Sequence, residues 1–228
     1  MKIRYAPLAL ACAWMVAAAT TTTAQAASVT YTFGGTLDSV ARGLPFLAVG
    51  DSFIGSFTFE STSPDVSASA GQSIYPEGFS INATVNGYSF SSNSNLSDCP
   101  ACGDVAVAND SNTFSDIFFV KNNAGFAAVT GPHVNGFVPY DLTVQLFDFS
   151  GVVFNSNALP SNLVLSAFDY RRFSISFLDA NGNGTGAGGA LTDLTLVTAA
   201  PVPEASTSAM LALGLGALAV VRRRKVAA

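Results

Sequence analysis

Apolar and polar side chains alternate along several short stretches of residues 27–200. A period of two places every second side chain on the same face of a strand. The pattern therefore predicts β-strands that each bury one face. The stretches with apolar residues at every second position are Val29–Phe33, Phe53–Phe59, Phe79–Val85, Leu142–Leu146, Phe173–Phe177 and Leu194–Leu196.

Two further stretches, Ile117–Val120 and Phe126–Val129, are apolar without interruption and predict strands that are buried on both faces. Turn-forming residues such as Asn86-Gly87 and Asn181–Gly189 separate the strands. Residues 27–200 contain no sustained helical period with caps. We therefore predict nine to eleven strands in an all-β fold, an antiparallel β-sandwich that is jelly-roll-like.

The first 26 residues have the parts of a secretory signal peptide. Lys2 and Arg4 precede the apolar helix-forming segment Leu8–Ala19, and Ala24-Gln25-Ala26 is a small-x-small cleavage site. We expect signal peptidase to cut there, so that the mature chain begins at Ala27. The alternative is a retained N-terminal membrane anchor.

The last 28 residues, 201–228, form a second segment of distinct composition. An apolar run, Ala209–Val221, is followed by the basic cluster Arg222, Arg223, Arg224 and Lys225. As a helix, that run covers about 20 Å, which is less than a hydrocarbon core of about 30 Å. The positive-inside rule keeps the basic cluster cytoplasmic and the preceding domain outside. We predict a short helix that anchors the chain transiently; a permanent, tilted single-span transmembrane helix is the alternative.

The tail consists of the tripeptide Val202-Pro203-Glu204, the apolar run and the terminal arginines, in that order. This arrangement resembles a PEP-CTERM sorting signal. The same tail is also labelled an ice-binding protein C-terminal domain. Ala205 stands where the family's motif has a second proline. The resemblance implies a protein exported by a Gram-negative bacterium to its envelope or surface and processed by an exosortase, a membrane-embedded cysteine protease. It also implies an association with exopolysaccharide and biofilm.

The charge is unevenly distributed between these segments. The whole chain of 228 residues has a net charge of −5, but residues 27–200 carry 14 acidic against four basic side chains. The resulting −10 disfavours nucleic acids and anionic surfaces as partners. Cations and extracellular polysaccharide remain as candidate ligands.

Two cysteines, Cys99 and Cys102, fall outside the signal peptide. In an oxidising compartment the pair predicts a local disulfide that closes the loop Cys99-Pro100-Ala101-Cys102. A redox or metal-binding pair is the alternative. It is disfavoured because polar residues, not an apolar strand, precede Cys99.

Calcium is the one cofactor that the sequence suggests. Asp179, Asn181 and Asn183 have the alternating oxygen ligands of the first half of an EF-hand loop. Position twelve of such a loop would be Ala190, so the bidentate acid is missing. An Asn/Gly hairpin loop explains the same residues.

No catalytic residues are predicted. His133 is the only histidine, and no G-x-S-x-G motif occurs. The only tryptophan and the only run of threonines lie in the signal peptide, which disfavours an aromatic glycan platform and an ice-binding array. We predict a non-catalytic surface or extracellular-matrix protein. A carbohydrate- or calcium-binding module is the second reading, and a secreted glycan hydrolase that uses paired carboxylates is the third.

Overall fold

The structure is a computed structural model that describes residues 28–76, 78–92, 103–110, 115–123 and 129–197. All of them fall within one compact unit, Ala26–Ala199. Within these ranges there is no helix of the length and apolarity needed to span a bilayer.

The described residues form eleven β-strands in one continuous sheet, in which every neighbouring pair is antiparallel. In chain order the strands are β1 Ser28–Val40, β2 Ser52–Glu60, β3 Ser73–Tyr75, β4 Ser80–Val85, β5 Tyr88–Ser92, β6 Asp104–Ala108, β7 Asp116–Asn123, β8 Val129–Thr130, β9 Val138–Asp148, β10 Tyr170–Leu178 and β11 Gly184–Val197. Their order across the sheet is β3-β6-β7-β9-β10-β11-β1-β2-β4-β5-β8. One 3₁₀ turn, Leu165–Ala167, lies before β10.

The sheet curls so that its inner face packs against itself. The ring of Phe57 on β2 lies 5.8 Å from that of Phe118 on β7, although five positions separate these strands in the sheet. Phe90 on β5 likewise meets Phe177 on β10 at 5.6 Å. These side chains are almost wholly buried. Curling thus encloses a core made largely of phenylalanine.

Loops cover both ends of this core. At one end, Phe46 from the β1–β2 loop packs edge-to-face on Phe177 at 5.4 Å. At the other end, Tyr31 on β1 accepts a hydrogen bond at its hydroxyl from the amide of Leu163, in the loop between β9 and β10. Burying this phenol without a partner would be costly, so the bond fixes the loop over the core.

The structure confirms the all-β antiparallel class, the number of strands and most of the alternation. Ile117–Val120 is a correction: it alternates, because Phe118 and Val120 face the core while Ile117 and Phe119 are only partly buried on the outer face. Leu196 also differs, being 37% exposed near the end of β11. The sandwich and jelly-roll descriptions stay predictions, since the strands form one sheet.

Candidate functional site

Buried acidic side chains organise the loop between β9 and β10, residues 149–169. Asp148 is 2% exposed at the end of β9. Its Oδ1 accepts hydrogen bonds from the amide and hydroxyl of Ser150, at 2.8 and 2.6 Å. Its Oδ2 accepts the amides of Val152 and Val153, at 2.8 and 3.2 Å. Desolvation raises the pKa of Asp148, but these hydrogen bonds outweigh it and bring the pKa to about 2.

Asp116 is paired with Asp148 in the register of β7 and β9 and is fully buried. Its Oδ1 accepts the amide of Asp110 at 3.1 Å, and its Oδ2 accepts the amide of Phe154 at 2.7 Å. Carboxylates that catalyse proton transfer must reach a substrate. Asp116 and Asp148 instead accept backbone amides from the β6–β7 and β9–β10 loops, so these carboxylates hold the two loops in place.

Asn157 joins three segments, and sequence reasoning missed it. Its side-chain amide donates to the carbonyl of Ala70 at 3.0 Å, and its Oδ1 accepts the amide of Asn109 at 2.7 Å. The hydroxyl of Tyr75 donates to its carbonyl at 2.9 Å. Nothing in the local sequence distinguishes this asparagine from others in turns, because its partners are distant along the chain.

A charged group lies on the outer face of β6, β7 and β9. Lys121 is paired in register with Asp104 on one side and with Thr143 on the other. Burial raises the pKa of Asp104 and brings that of Asp141 to about 6, while the charge of Lys121 acts in the opposite direction on both. The hydroxyl of Thr143 donates to Oδ2 of Asp141 at 3.0 Å, and Oδ1 of Asp141 is buried without a hydrogen-bond partner among the described residues. The ionised form of Asp141 is therefore costly at this position.

The three candidate calcium ligands lie together in the loop between β10 and β11. Oδ1 of Asp179 accepts the amides of Asn181 and Asn183, both at 2.8 Å, and Oδ2 accepts the side-chain amide of Asn183 at 2.9 Å. Gly182 has a φ of 80°, which favours glycine. These bonds are those of an Asx-stabilised hairpin. Among the described residues, no three His, Cys, Asp or Glu side chains are grouped closely enough to hold a metal ion.

The other predicted sites lie outside the described residues. They are Cys99 and Cys102, Val202, Pro203 and Glu204 of the sorting motif, the helix 209–221, and Arg222, Arg223, Arg224 and Lys225. The signal peptide and its cleavage site lie outside them as well. His133 is described and is exposed in the turn between β8 and β9.

The strands that bury phenylalanine on their inner face carry hydroxyl and amide side chains on their outer face. One row crosses six neighbouring strands, β11, β1, β2, β4, β5 and β8, with each residue paired in register to the next. The row consists of Thr195, Thr32, Ser56, Asn82, Ser91 and Thr130. We call this row, with the pairs Thr30–Thr58 and Thr84–Ser89 on either side of it, the outer hydroxyl face.

Hydrogen bonds link neighbours on the outer hydroxyl face. The side-chain amide of Asn82 donates to Ser56 Oγ at 2.8 Å, and the hydroxyls of Ser91 and Thr130 lie 2.7 Å apart. The Thr30–Thr58 and Thr84–Ser89 hydroxyl pairs are each 2.9 Å apart. These contacts order the side chains while leaving donors and acceptors directed to solvent.

Two shallow grooves run along this face. The larger, about 630 Å³, crosses β11, β1, β2 and β4, and the smaller, about 290 Å³, crosses β4, β5 and β8. Both include Asn82 and Thr84, so the grooves adjoin. The sequence contained part of this information, since most of the polar positions of the alternating strands are Ser or Thr. The pairing of those positions into rows depends on register, which one sequence does not reveal.

Residues 201–225 match the family model described as the PEP-CTERM protein-sorting motif. No curated protein and no solved structure matches the chain significantly. The chain therefore carries a PEP-CTERM sorting motif at residues 201–225, as its resemblance indicated. The motif implies an exported, cell-surface protein of a Gram-negative bacterium that is processed by an exosortase.

Proposed function

We propose that the protein is a non-catalytic component of the cell surface or extracellular matrix that works in association with exopolysaccharide. The observation that carries this proposal is the sorting motif at residues 201–225, which assigns the chain an export route. The structural use of Asp116 and Asp148 supports the non-catalytic role, because these buried carboxylates are occupied by backbone amides.

The proposed route has two processing steps. Signal peptidase removes residues 1–26, and the apolar run 209–221 then holds the acidic domain on the outer side of the inner membrane. The exosortase acts at the motif around Pro203 and Glu204 and releases the domain from its anchor. This order agrees with the charges, since the basic cluster 222–225 stays on the cytoplasmic side.

The test is fractionation of a Gram-negative host that encodes an exosortase and expresses the full chain. We expect the unchanged protein at the cell surface or in the medium, with Ala27 as its first residue and without the basic cluster, by mass spectrometry. Replacing Pro203 and Glu204 by alanine should leave the protein in the inner membrane at full tail length. Ser208→Ala, in the same segment, is the matched control and should be processed normally. Normal release of the Pro203/Glu204 variant would contradict the route.

Association with exopolysaccharide has its own test. Deleting the gene should loosen the matrix that the source bacterium deposits, measured as the protein-bound polysaccharide retained after washing, and the full chain should restore it. Hydrolysis of that polysaccharide by the purified protein would overturn the non-catalytic role.

Calcium binding at Asp179, Asn181 and Asn183 is a second candidate function. The observation in its favour is that the half-buried Asp179 and the exposed Asn181 and Asn183 belong to one short loop between β10 and β11. If the hairpin is purely structural, Asp179→Ala should lower the Tm equally with and without calcium, through loss of the hairpin's hydrogen bonds. If calcium raises the Tm of the unchanged protein and fails to do so for Asp179→Ala, the calcium site is correct instead.

A further inference from the structure

We propose that the outer hydroxyl face is a binding site for a neutral polysaccharide chain, which lies along the two grooves and across the row from Thr195 to Thr130. This inference rests on the proposed association with exopolysaccharide. It adds the site, the residues and the charge class of the polymer.

The first argument is the chemistry of the face. Hydroxyl and amide groups both donate and accept hydrogen bonds, as the hydroxyls of a sugar do. The row spans six strands, and at about 4.8 Å between neighbouring strands its length along the sheet is about 24 Å. A repeating surface of this kind matches a repeating polymer, because several weak contacts along one chain add their free energies.

The second argument is charge. In the part of the chain that the structure describes, the larger groove is lined by one carboxylate, Asp193, and by no cationic side chain. Arg172 on β10, which is paired in register with Ala190 of β11, is neutralised by a bidentate ion pair with Asp38, at 2.7 and 3.1 Å. In a domain with a net charge of −10 this arrangement repels polyanions, so a neutral chain is favoured over an acidic polysaccharide or a nucleic acid.

The third argument disfavours the usual kind of protein partner. Stable protein interfaces have an apolar core with aromatic side chains. The larger groove exposes one large apolar side chain, Ile54, which is 66% exposed. The rings of Phe33 and Phe53 belong to the inner face.

The fourth argument is Gly34, which lines the larger groove in the middle of β1. The glycines beside it are required by packing: a Cβ on Gly35 would lie 2.2 Å from the carbonyl oxygen of Ala190, and one on Gly55 would lie 2.3 Å from that of Asn82. A Cβ on Gly34 would meet its nearest atom at 3.6 Å, an ordinary contact, and its φ is not positive. Packing therefore does not require a glycine at position 34, where Gly34 forms the buried floor of the groove; a missing side chain is expected where a ligand approaches the backbone of a strand.

Affinity electrophoresis of the released protein, purified from cells that express the full chain, tests the proposal. Native gels would contain dextran, laminarin, hydroxyethyl cellulose or the neutral exopolysaccharide fraction of the source bacterium, with alginate as the anionic comparison. We expect at least one neutral polymer to retard the protein and alginate to leave its mobility unchanged. Retardation by alginate alone, or by none of the polymers, would overturn the proposal. If the protein causes thermal hysteresis of ice and no polymer retards it, the hydroxyl row binds ordered water, and the proposal is overturned as well.

Two variants locate the site. Gly34→Val fills the groove and should weaken retardation roughly tenfold. The double change Ser56→Ala with Asn82→Ala removes hydrogen-bond donors without adding bulk, and should weaken retardation by a similar factor. Gly71→Val is the matched control, because Gly71 lies in an exposed loop where a Cβ meets nothing within 4 Å. Equal retardation of Gly34→Val, the double variant and the control would overturn the assignment of the site. Failure of the Pro203/Glu204 experiment alone would remove the export route and leave this binding result standing.

Discussion

The inner and outer faces of β1, β2 and β4 are made by the same strands from opposite kinds of residue. On the inner face, Phe57 lies 5.3 Å from the ring of Tyr31 and 5.8 Å from that of Phe118, and all three are fully buried. On the outer face, the neighbouring residues Ser56 and Thr58 contact other hydroxyl or amide groups near solvent. Fold stability therefore depends on one face, which leaves the other face available for binding.

The largest expected effect comes from removing a ring on the inner face. Phe57→Ala deletes a side chain that contacts rings on both β1 and β7, and should lower the free energy of unfolding by about 3–5 kcal/mol. Ser56→Ala, one residue earlier on the outer face, should change it by less than about 0.5 kcal/mol. Urea denaturation followed by fluorescence measures both. Similar costs at the two positions would refute the division between the faces.

The same substitution at two adjacent glycines is the next test. Gly35→Ala places its Cβ 2.2 Å from the carbonyl oxygen of Ala190 and 2.6 Å from the Phe53 ring, so β1 or β11 must shift, at a cost of about 3 kcal/mol. Gly34→Ala meets only ordinary contacts and should be neutral or stabilise by up to about 1 kcal/mol, because alanine restricts the unfolded chain. Thermal unfolding of the two variants side by side gives the difference. A loss of stability in Gly34→Ala comparable to that in Gly35→Ala would show that packing of the sheet requires the glycine in the groove.

These glycines show how far the sequence could be interpreted. The period of two identified which face of most strands is buried, since it depends on neighbours along the chain. Packing requires a glycine at position 35 but not at position 34. That difference depends on strands more than 100 residues apart in sequence, through the register of β1 with β11. The hydroxyl row and the hydrogen-bond partners of Asn157 likewise depend on contacts between residues that are distant in sequence. Asp148 is a mixed case. The groups that donate hydrogen bonds to it, at Ser150, Val152 and Val153, are local in sequence, but its burial depends on the long-range packing of β9.

Two aspartates on opposite faces of β9 should respond to pH with opposite signs. The pKa of Asp148 is about 2 in the folded protein, below its ordinary value of 3.8, so its stabilising effect is complete above about pH 4 and is lost as the pH falls through 2. The pKa of Asp141 is about 6, above the same ordinary value, so its charge destabilises the fold above pH 6 and that penalty disappears as the pH falls toward 4.

Asparagine substitutions separate the two effects. At pH 7, Asp148→Asn should cost about 2 kcal/mol through loss of charge-assisted hydrogen bonds, and Asp141→Asn should gain about 1–3 kcal/mol. At pH 4.5 the Asp141→Asn gain should have largely vanished while the Asp148→Asn cost remains. Urea titrations at the two pH values measure these differences. If both variants change the free energy of unfolding in the same direction at pH 7, the surroundings of Asp148 and Asp141 do not have the opposite effects on an ionised carboxylate that the structure indicates.

The smallest expected effect is at the outer threonine pair. The hydroxyls of Thr30 and Thr58 are 2.9 Å apart on β1 and β2, and a valine at position 58 keeps the β-branched shape while removing that hydrogen bond. Partly exposed hydroxyl pairs contribute little net free energy because water competes for them, and valine suits a strand at least as well as threonine. Thr58→Val should therefore change stability by less than about 0.5 kcal/mol, measured by urea denaturation against the unchanged protein. A cost above about 1.5 kcal/mol would mean that the hydroxyl pairs help to hold the sheet together, and the order of the outer face would then need no ligand to explain it.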